Sequence, residues 1–161
     1  MGILRLGVIA DTHLGGPTRE LADLRQGLFL DVEVILHAGD LTEMSVLDAF
    51  AGKEVIAVCG NMDSREIRER LPVKRVWKTR KFRIGLMHGW GAKQGVEERI
   101  RREFEEIDCL VYGHTHIPAS RRQDGLYLFN PGSFSGMPAG SGRSVGILEL
   151  GETISGRIYP L

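Results

Sequence analysis

Two histidines one residue apart, His114 and His116, close the run Asp108-Cys109-Leu110-Val111-Tyr112-Gly113-His114-Thr115-His116. The apolar residues before them read as a buried strand that stops at a glycine. In extended chain, positions i and i+2 point the same way, so both imidazoles can face one pocket. Four other apolar runs end in residues of the same chemical kind. They deliver Asp11 with His13, then Asp40, then Asn61, then His88. Imidazole, carboxylate and amide oxygen without thiolate suit borderline divalent metals: manganese first, with iron, zinc or nickel as alternatives. Each residue alone has a structural reading. An aspartate can cap a helix, an asparagine can hold a turn, and a lone strand-end histidine usually serves packing. Five such ends in succession favour a shared cation site, and four of the five histidines lie on them.

Seven ligands exceed what one ion of about four to six ligands needs beside water, and they fit two ions about 3.5–4 Å apart. Asp40, alone on its strand between the two groups, is the candidate bridging carboxylate. A water shared by two cations would lose a proton near neutral pH and become a hydroxide nucleophile. Asp40, Asn61, His88 and His114 form the expected catalytic set, the two histidines lending positive potential to the site.

These ends converge if the strands behind them share a layered sheet, because α/β folds bind ligands at the carboxyl ends of their strands. Residues 3–10 are apolar enough for a strand buried on both faces. Thr18 can cap a helix reaching Gln26, with Leu21, Leu24 and Leu28 on one side. Residues 32–40 and 54–59 repeat the strand pattern. Between them Thr42 is placed to cap a short helix carrying Val46, Leu47 and Phe50. Ser64 or Asp63 can cap the next helix, which Pro72 ends. Residues 73–78 and 81–87 predict a hairpin. Val96, Ile100, Phe104 and Ile107 predict a helix over 95–107, with Glu97/Arg101 and Glu98/Arg102 as solvated i,i+4 pairs. Segments 117–122, 126–129, 144–150 and 153–159 alternate between Gly-rich turns and predict antiparallel β structure. Nothing reads as a linker, repeat or low-complexity tract, so residues 1–161 are expected to form one domain.

The residues now on the page resemble a known family. Asp11-x-His13, Gly39-Asp40, Gly60-Asn61-x-Asp63, His88-Gly89 in place of Gly-His, and Gly113-His114-Thr115-His116 follow the order of the calcineurin-like metallophosphoesterase superfamily. The likeness runs from Ile3 through Asn130-Pro131-Gly132-Ser133, and the short chain without a cap domain looks like the small bacterial and archaeal phosphodiesterase branch. The resemblance implies a four-layer α/β/β/α sandwich with two mixed β-sheets. It also divides the ligands: Asp11, His13, Asp40 and His116 on a first metal; Asp40, Asn61, His88 and His114 on a second. The implied activity is hydrolysis of a small phosphodiester. One position departs from the pattern. Many members carry a histidine directly after the asparagine, thought to protonate the leaving group, and here Met62 stands there. Either the chain lacks that acid, or Met62 merely packs and another donor serves. A non-catalytic scaffold of the same fold, like the retromer subunit whose metal-site residues are partly replaced, is the rival reading; the seven intact ligand types count against it.

Other residues carry less. Asp63 matches the family motif and is expected to support a ligand or loop rather than cap. His37 reads as a packed or ligand-supporting histidine rather than a ligand, Arg143 as a surface or structural residue rather than a phosphate contact, and Trp90 with the loop through Gly95 as a candidate wall of the pocket. Lys+Arg and Asp+Glu are both 21, which gives no electrostatic case for nucleic acid or a charged membrane and counts against a nuclease. There are 21 glycines in 161 residues, near twice the ordinary ~7%, which suits a site assembled from loops. No run approaches the ~18 apolar residues of a membrane span. The opening residues read as a strand rather than a secretory signal, and Leu6 stands where myristoylation expects Ser or Thr. Cys59 and Cys109 fit small core residues in a reducing compartment. The expectation is a cytoplasmic protein, with an oligomer left open.

Overall fold

The computed structural model describes residues 2–138, 140 and 142–161; Met1 and two positions of the Gly-rich 132–142 segment lie outside the described residues. The strands are β1 (Leu4–Ile9), β2 (Val34–His37), β3 (Glu54–Ala57), β4 (Lys74–Lys78), β5 (Arg83–Met87), β6 (Cys109–Val111), β7 (Ala119–Gln123), β8 (Leu126–Asn130), β9 (Ser144–Leu150) and β10 (Ile154–Pro160). Helices α1 (Arg19–Gln26), α2 (Arg65–Arg70) and α3 (Val96–Arg101) and a 3-10 helix (Met44–Phe50) connect them. The strands form two five-stranded sheets, ordered β10-β9-β1-β2-β3 and β4-β5-β6-β8-β7. Both are mixed: β1 runs parallel to β2 and antiparallel to β9, while β5, β6 and β8 are parallel and flanked by antiparallel β4 and β7. The five strands that end in the candidate ligands therefore do not share one sheet. β1, β2 and β3 belong to the first and β5 and β6 to the second, and the site lies where the two meet.

Side-chain alternation explains the layering. Leu6, Val8 and Ala10 face inward with Val34 and Leu36, meeting Ile84, Leu86, Val111 and Phe129 of the other sheet. Ile9 and Ile35 point outward beneath Leu21, Leu24, Val46 and Phe50. On the far side, Leu110, Tyr112 and Leu128 lie under Val96 and Ile100. Three apolar interfaces separate four layers, α/β/β/α. Because both faces of the central strands are covered, they read as unbroken apolar runs.

Four local expectations change. Thr42 does not cap the helix after it; the 3-10 helix has Glu43 at its N-cap with no side-chain bond, and Thr42 sits at φ +77°. Helix α3 is six residues long, because the N–H groups of Glu103 and Phe104 turn back to the Ile100 and Arg101 carbonyls and tighten its end. Phe104 and Ile107 still pack on the same apolar cluster, so their helical spacing reported burial rather than backbone. The expected i,i+4 pairs on α3 give way to tertiary ones: Glu97 takes Tyr112 and Arg121, and Arg101 lies 3.6 Å from Asp124. The C-terminal third is not purely antiparallel, since β8 pairs in parallel with β6.

The hairpin β4–β5 carries six basic residues between 74 and 83, which a balanced net charge conceals. Lys74, Lys81 and Arg83 are paired with Glu103, Glu152 and Glu106. Among the described residues no helix is long and apolar enough to cross a membrane.

Candidate metal centre

Each strand hands its functional side chain to a turn with an unusual backbone. Asp11, His13, Asp40, His114 and His116 all have φ between +47° and +65°, the left-handed region that non-glycine residues rarely occupy. Such conformations cost about 1–2 kcal/mol per residue and persist where surrounding structure over-determines them. Here the surroundings are visible. The Asp11 and His13 N–H groups donate to the carbonyls of Gly39 and Asp40 at 3.0 and 3.2 Å, extending the β1–β2 ladder through the loops. Asp63 accepts from the N–H groups of Asp40, Thr42 and Gly60 at 3.0, 2.8 and 2.8 Å. It clamps the turns of Asp40 and Gly60 together, while Ser64 caps α2, so of the two capping alternatives only the serine is used. Gly60 is required by close approach: a Cβ there would lie 2.0 Å from Asp40 Oδ1.

All seven sequence-predicted ligands come together. His13 Nε2 lies 3.8 Å from Asp11 Oδ1 and 3.7 Å from Asp40 Oδ2. His88 Nε2 is 3.7 Å from Asp11 and 3.2 Å from Asp40, and His116 Nε2 is 3.1 Å from Asp11 Oδ1. His114 Nδ1 stands 3.1 Å from Asn61 Oδ1, and its ring centre 5.4 Å from that of His88. Asp11 and Asp40 are the buried centre of the array, with histidines on both sides.

The ring nitrogens test whether cations fit. His88 Nδ1 is 2.7 Å from the Ala38 carbonyl, His114 Nε2 is 2.7 Å from the Gly91 carbonyl, and His116 Nδ1 contacts the Met137 carbonyl. Those nitrogens must donate, so each neutral ring turns its other lone pair toward an oxygen of Asp40, Asn61 or Asp11. Lone pair facing oxygen is repulsive unless a proton or a cation stands between them. Backbone carbonyls fixing the tautomer in this way are the usual outer support of metal-binding histidines. Both Asp11 oxygens and His88 Nε2 are buried without a hydrogen-bond partner. Buried orphans of this kind are costly, and a divalent cation satisfies them. The donor set fits.

The electrostatics agree for the ion-free chain. Burial would raise the Asp11 pKa, but contacts with His116 and His13 and the nearby His88 outweigh it and hold the carboxyl far below its usual range. Asp40 is lowered too, against burial, by His88 and the Met62 N–H. Burial pulls His88 down while Asp40 and Asp11 raise it more, and Asp11 raises His116. Saturating manganese should therefore stabilise the fold by mass action, by about 2.7 kcal/mol per site at a hundred times Kd. For a chain of this size that is a rise of roughly 5–10 °C in melting temperature. An unmoved calorimetric transition would remove cations from this edge.

Several residues that sequence reasoning weighed lightly hold the site. His37 is wholly buried; its Nδ1 accepts from the Gly39 N–H and its Nε2–H donates to Thr12 Oγ1, each at 3.1 Å. Thr12, between two ligands, passes the chain on to the Leu41 carbonyl at 3.4 Å. Asn130 Nδ2 donates to the Gly113 carbonyl and to Thr115 Oγ1, each at 3.0 Å, and so braces the turn carrying His114 and His116. Only its membership of the Asn130-Pro131-Gly132-Ser133 run marked it beforehand. Arg143 bonds the Phe134 carbonyl and Glu20 and is structural. Met62 is not packed in the core: the residue is 64% exposed, and its N–H donates to Asp40 Oδ1 at 2.9 Å.

Known proteins resemble the chain in sequence and in fold. A probable metallophosphoesterase of Methanothermobacter thermautotrophicus is 37% identical over 157 residues, covering 95% of this chain and 90% of that one. A solved structure of an archaeal phosphodiesterase superposes with a TM-score of 0.75 at 25% identity, covering 98% of this chain and all of the other. Vps29 of Entamoeba histolytica, solved with Zn2+, superposes at 0.70 and 25% identity over 98% of this chain and 99% of its own. The model of the calcineurin-like phosphoesterase superfamily domain matches residues 4–153, and the chain belongs to that family.

Proposed function

We propose that this chain is a dinuclear metal-dependent phosphodiesterase acting on a small phosphodiester, folded as one domain and working in the cytoplasm. The observation that carries the reading is the set of histidine lone pairs turned on Asp11, Asp40 and Asn61, each ring fixed from behind by a backbone carbonyl. Asp11, His13, Asp40 and His116 would hold one cation and Asp40, Asn61, His88 and His114 the other, manganese first. When bound, the pair would neutralise phosphoryl charge and acidify a water. The chain's own contribution is placement. Asp63 holds the Asp40 and Gly60 turns in register, and Asn130 holds the two-histidine turn, so the charge meeting the phosphoryl group is organised before substrate arrives. A screen of the manganese-reconstituted protein against phosphodiesters, phosphomonoesters and cyclic nucleotides tests the class; turnover confined to monoesters would overturn it.

Met62 favours diesters. Its exposed thioether next to Asn61 cannot give a proton to a leaving group, and a general acid contributes about 10²–10⁴-fold, chiefly with poor leaving groups. The wild type should depend steeply on leaving-group pKa, and Met62→His should flatten that dependence by helping poor leaving groups most. A shallow wild-type slope that the substitution leaves unchanged would take Met62 out of the mechanism. The likeness to Vps29 supports the second reading, a non-catalytic protein-binding scaffold; a chain inert to every phosphoester under saturating metal would favour it.

A further inference from the structure

Beside the candidate metal centre lies a cavity of about 360 Å³, within the size range of small-molecule sites. Asn61 and His88, two of the candidate metal-holding residues, line it, so it adjoins the place where a phosphoryl group would sit. Apart from Arg68 and Glu103 the rest of its wall is mostly apolar, with Cys59 and Met87 buried and Val73 and Trp90 exposed. Val73 is 59% exposed and Trp90 39% exposed, large apolar groups left facing solvent with no folding reason to be there.

The charges at the rim are unequal. Glu103 is 3.6 Å from Lys74 Nζ, while Arg68 has no ion pair among the described residues and donates instead to the Asn61 carbonyl at 2.6 Å. The cavity thus offers net positive charge near the phosphoryl end and an apolar slot beyond it. An indole face and a methionine sulfur are the side chains that best receive a flat ring, through stacking and sulfur–aromatic contact. A short alkyl ester would leave this space filled with water; a planar aromatic ester arm would replace that water with contact.

We infer that this cavity selects phosphodiesters carrying a planar aromatic group, an aryl ring or a nucleobase, on the ester arm beside Asn61 and His88, with Trp90 and Val73 as specificity-determining residues. The inference rests on the phosphodiesterase reading, and binding rather than turnover separates the two. Calorimetric titration of the manganese-loaded protein with inorganic phosphate, methyl phosphate, phenyl phosphate and a nucleoside 5′-monophosphate is the experiment. Phenyl phosphate is expected to bind at least about tenfold more tightly than methyl phosphate. Trp90→Ala should reduce that ratio to within about twofold while leaving the affinities for methyl and inorganic phosphate unchanged. Val73→Ser, at an exposed position that a hydroxyl tolerates, should do the same if alanine at 90 perturbs the loop. A nucleoside monophosphate sharing the preference assigns nucleoside esters; one binding only as well as methyl phosphate assigns compact aryl esters. Equal affinity for methyl and phenyl phosphate overturns the inference and leaves the function standing. Failure to bind any of the four, inorganic phosphate included, overturns both.

Discussion

Alanine at position 40 is expected to abolish binding of both manganese equivalents and to lower phosphodiester hydrolysis by at least about 10³-fold, whereas alanine at position 13 is expected mainly to weaken one of the two. The asymmetry follows from position. Asp40 Oδ2 faces His13 at 3.7 Å and His88 at 3.2 Å, so it adjoins both halves of the array, and its Oδ1 also takes the Met62 N–H. His13 is half-buried at the rim and reaches only Asp11 and Asp40. The loop bearing Asp40 is held through its backbone by Asp63, so the variant keeps its fold, and loss of metal is not a symptom of unfolding. Metal analysis after reconstitution and calorimetric stoichiometry read the result directly. A wild type that takes up a single manganese ion would end the dinuclear account.

The second large effect is on acid stability. Burial drives the His37 pKa down to about 3, with the charges of Asp11 and Asp40 only partly opposing it. The unfolded chain would protonate this ring near 6.5, so below that pH the unfolded state binds the extra proton and gains on the folded one. The stability due to a neutral His37 is complete above pH 6.5 and is lost as pH falls towards 3. The loss is about 2 kcal/mol by pH 5 and on the order of 4 kcal/mol at the low end. His37→Asn keeps an acceptor for the Gly39 N–H but cannot titrate. Urea melts of both proteins from pH 7 to pH 4.5 should show the wild-type stability falling more steeply by close to one proton. Parallel curves would mean that His37 is not held neutral. The comparison is a difference between two chains, so titration of the metal-site histidines cancels.

Strand ends were the legible part of this chain. Strands covered on both faces must be apolar throughout, and a polar residue where such a run stops is visible without any structure. Asp11, Asp40, Asn61, His88 and the His114–His116 pair were found in that way. The allotment to two sheets was not visible, because β2 and β5 present the same run of apolar residues whichever sheet receives them. The end of α3 was hidden for a related reason: Phe104 and Ile107 keep helical spacing since both bury against Gly85, although the backbone has already turned. The supports of the site were least visible. Thr12, His37 and Asn130 act through hydrogen bonds to backbone groups that are distant in sequence or beyond any local pattern, and nothing in their neighbours announces the partner.

The left-handed backbone at Asp11, His13, Asp40, His114 and His116 gives this fold a direction of drift. Glycine occupies that region without penalty, and it carries no buried carboxylate or imidazole needing a counter-charge. At each of the five positions, exchanging the ligand for glycine would relieve roughly 1–2 kcal/mol of strain in the ion-free protein. Replacing these side chains is thus downhill for the stability of the ion-free protein, and a use for the metal is what would hold them where they are. A lineage released from that use would be expected to shed such side chains one by one while its scaffold grew firmer, and this chain keeps all seven ligand types.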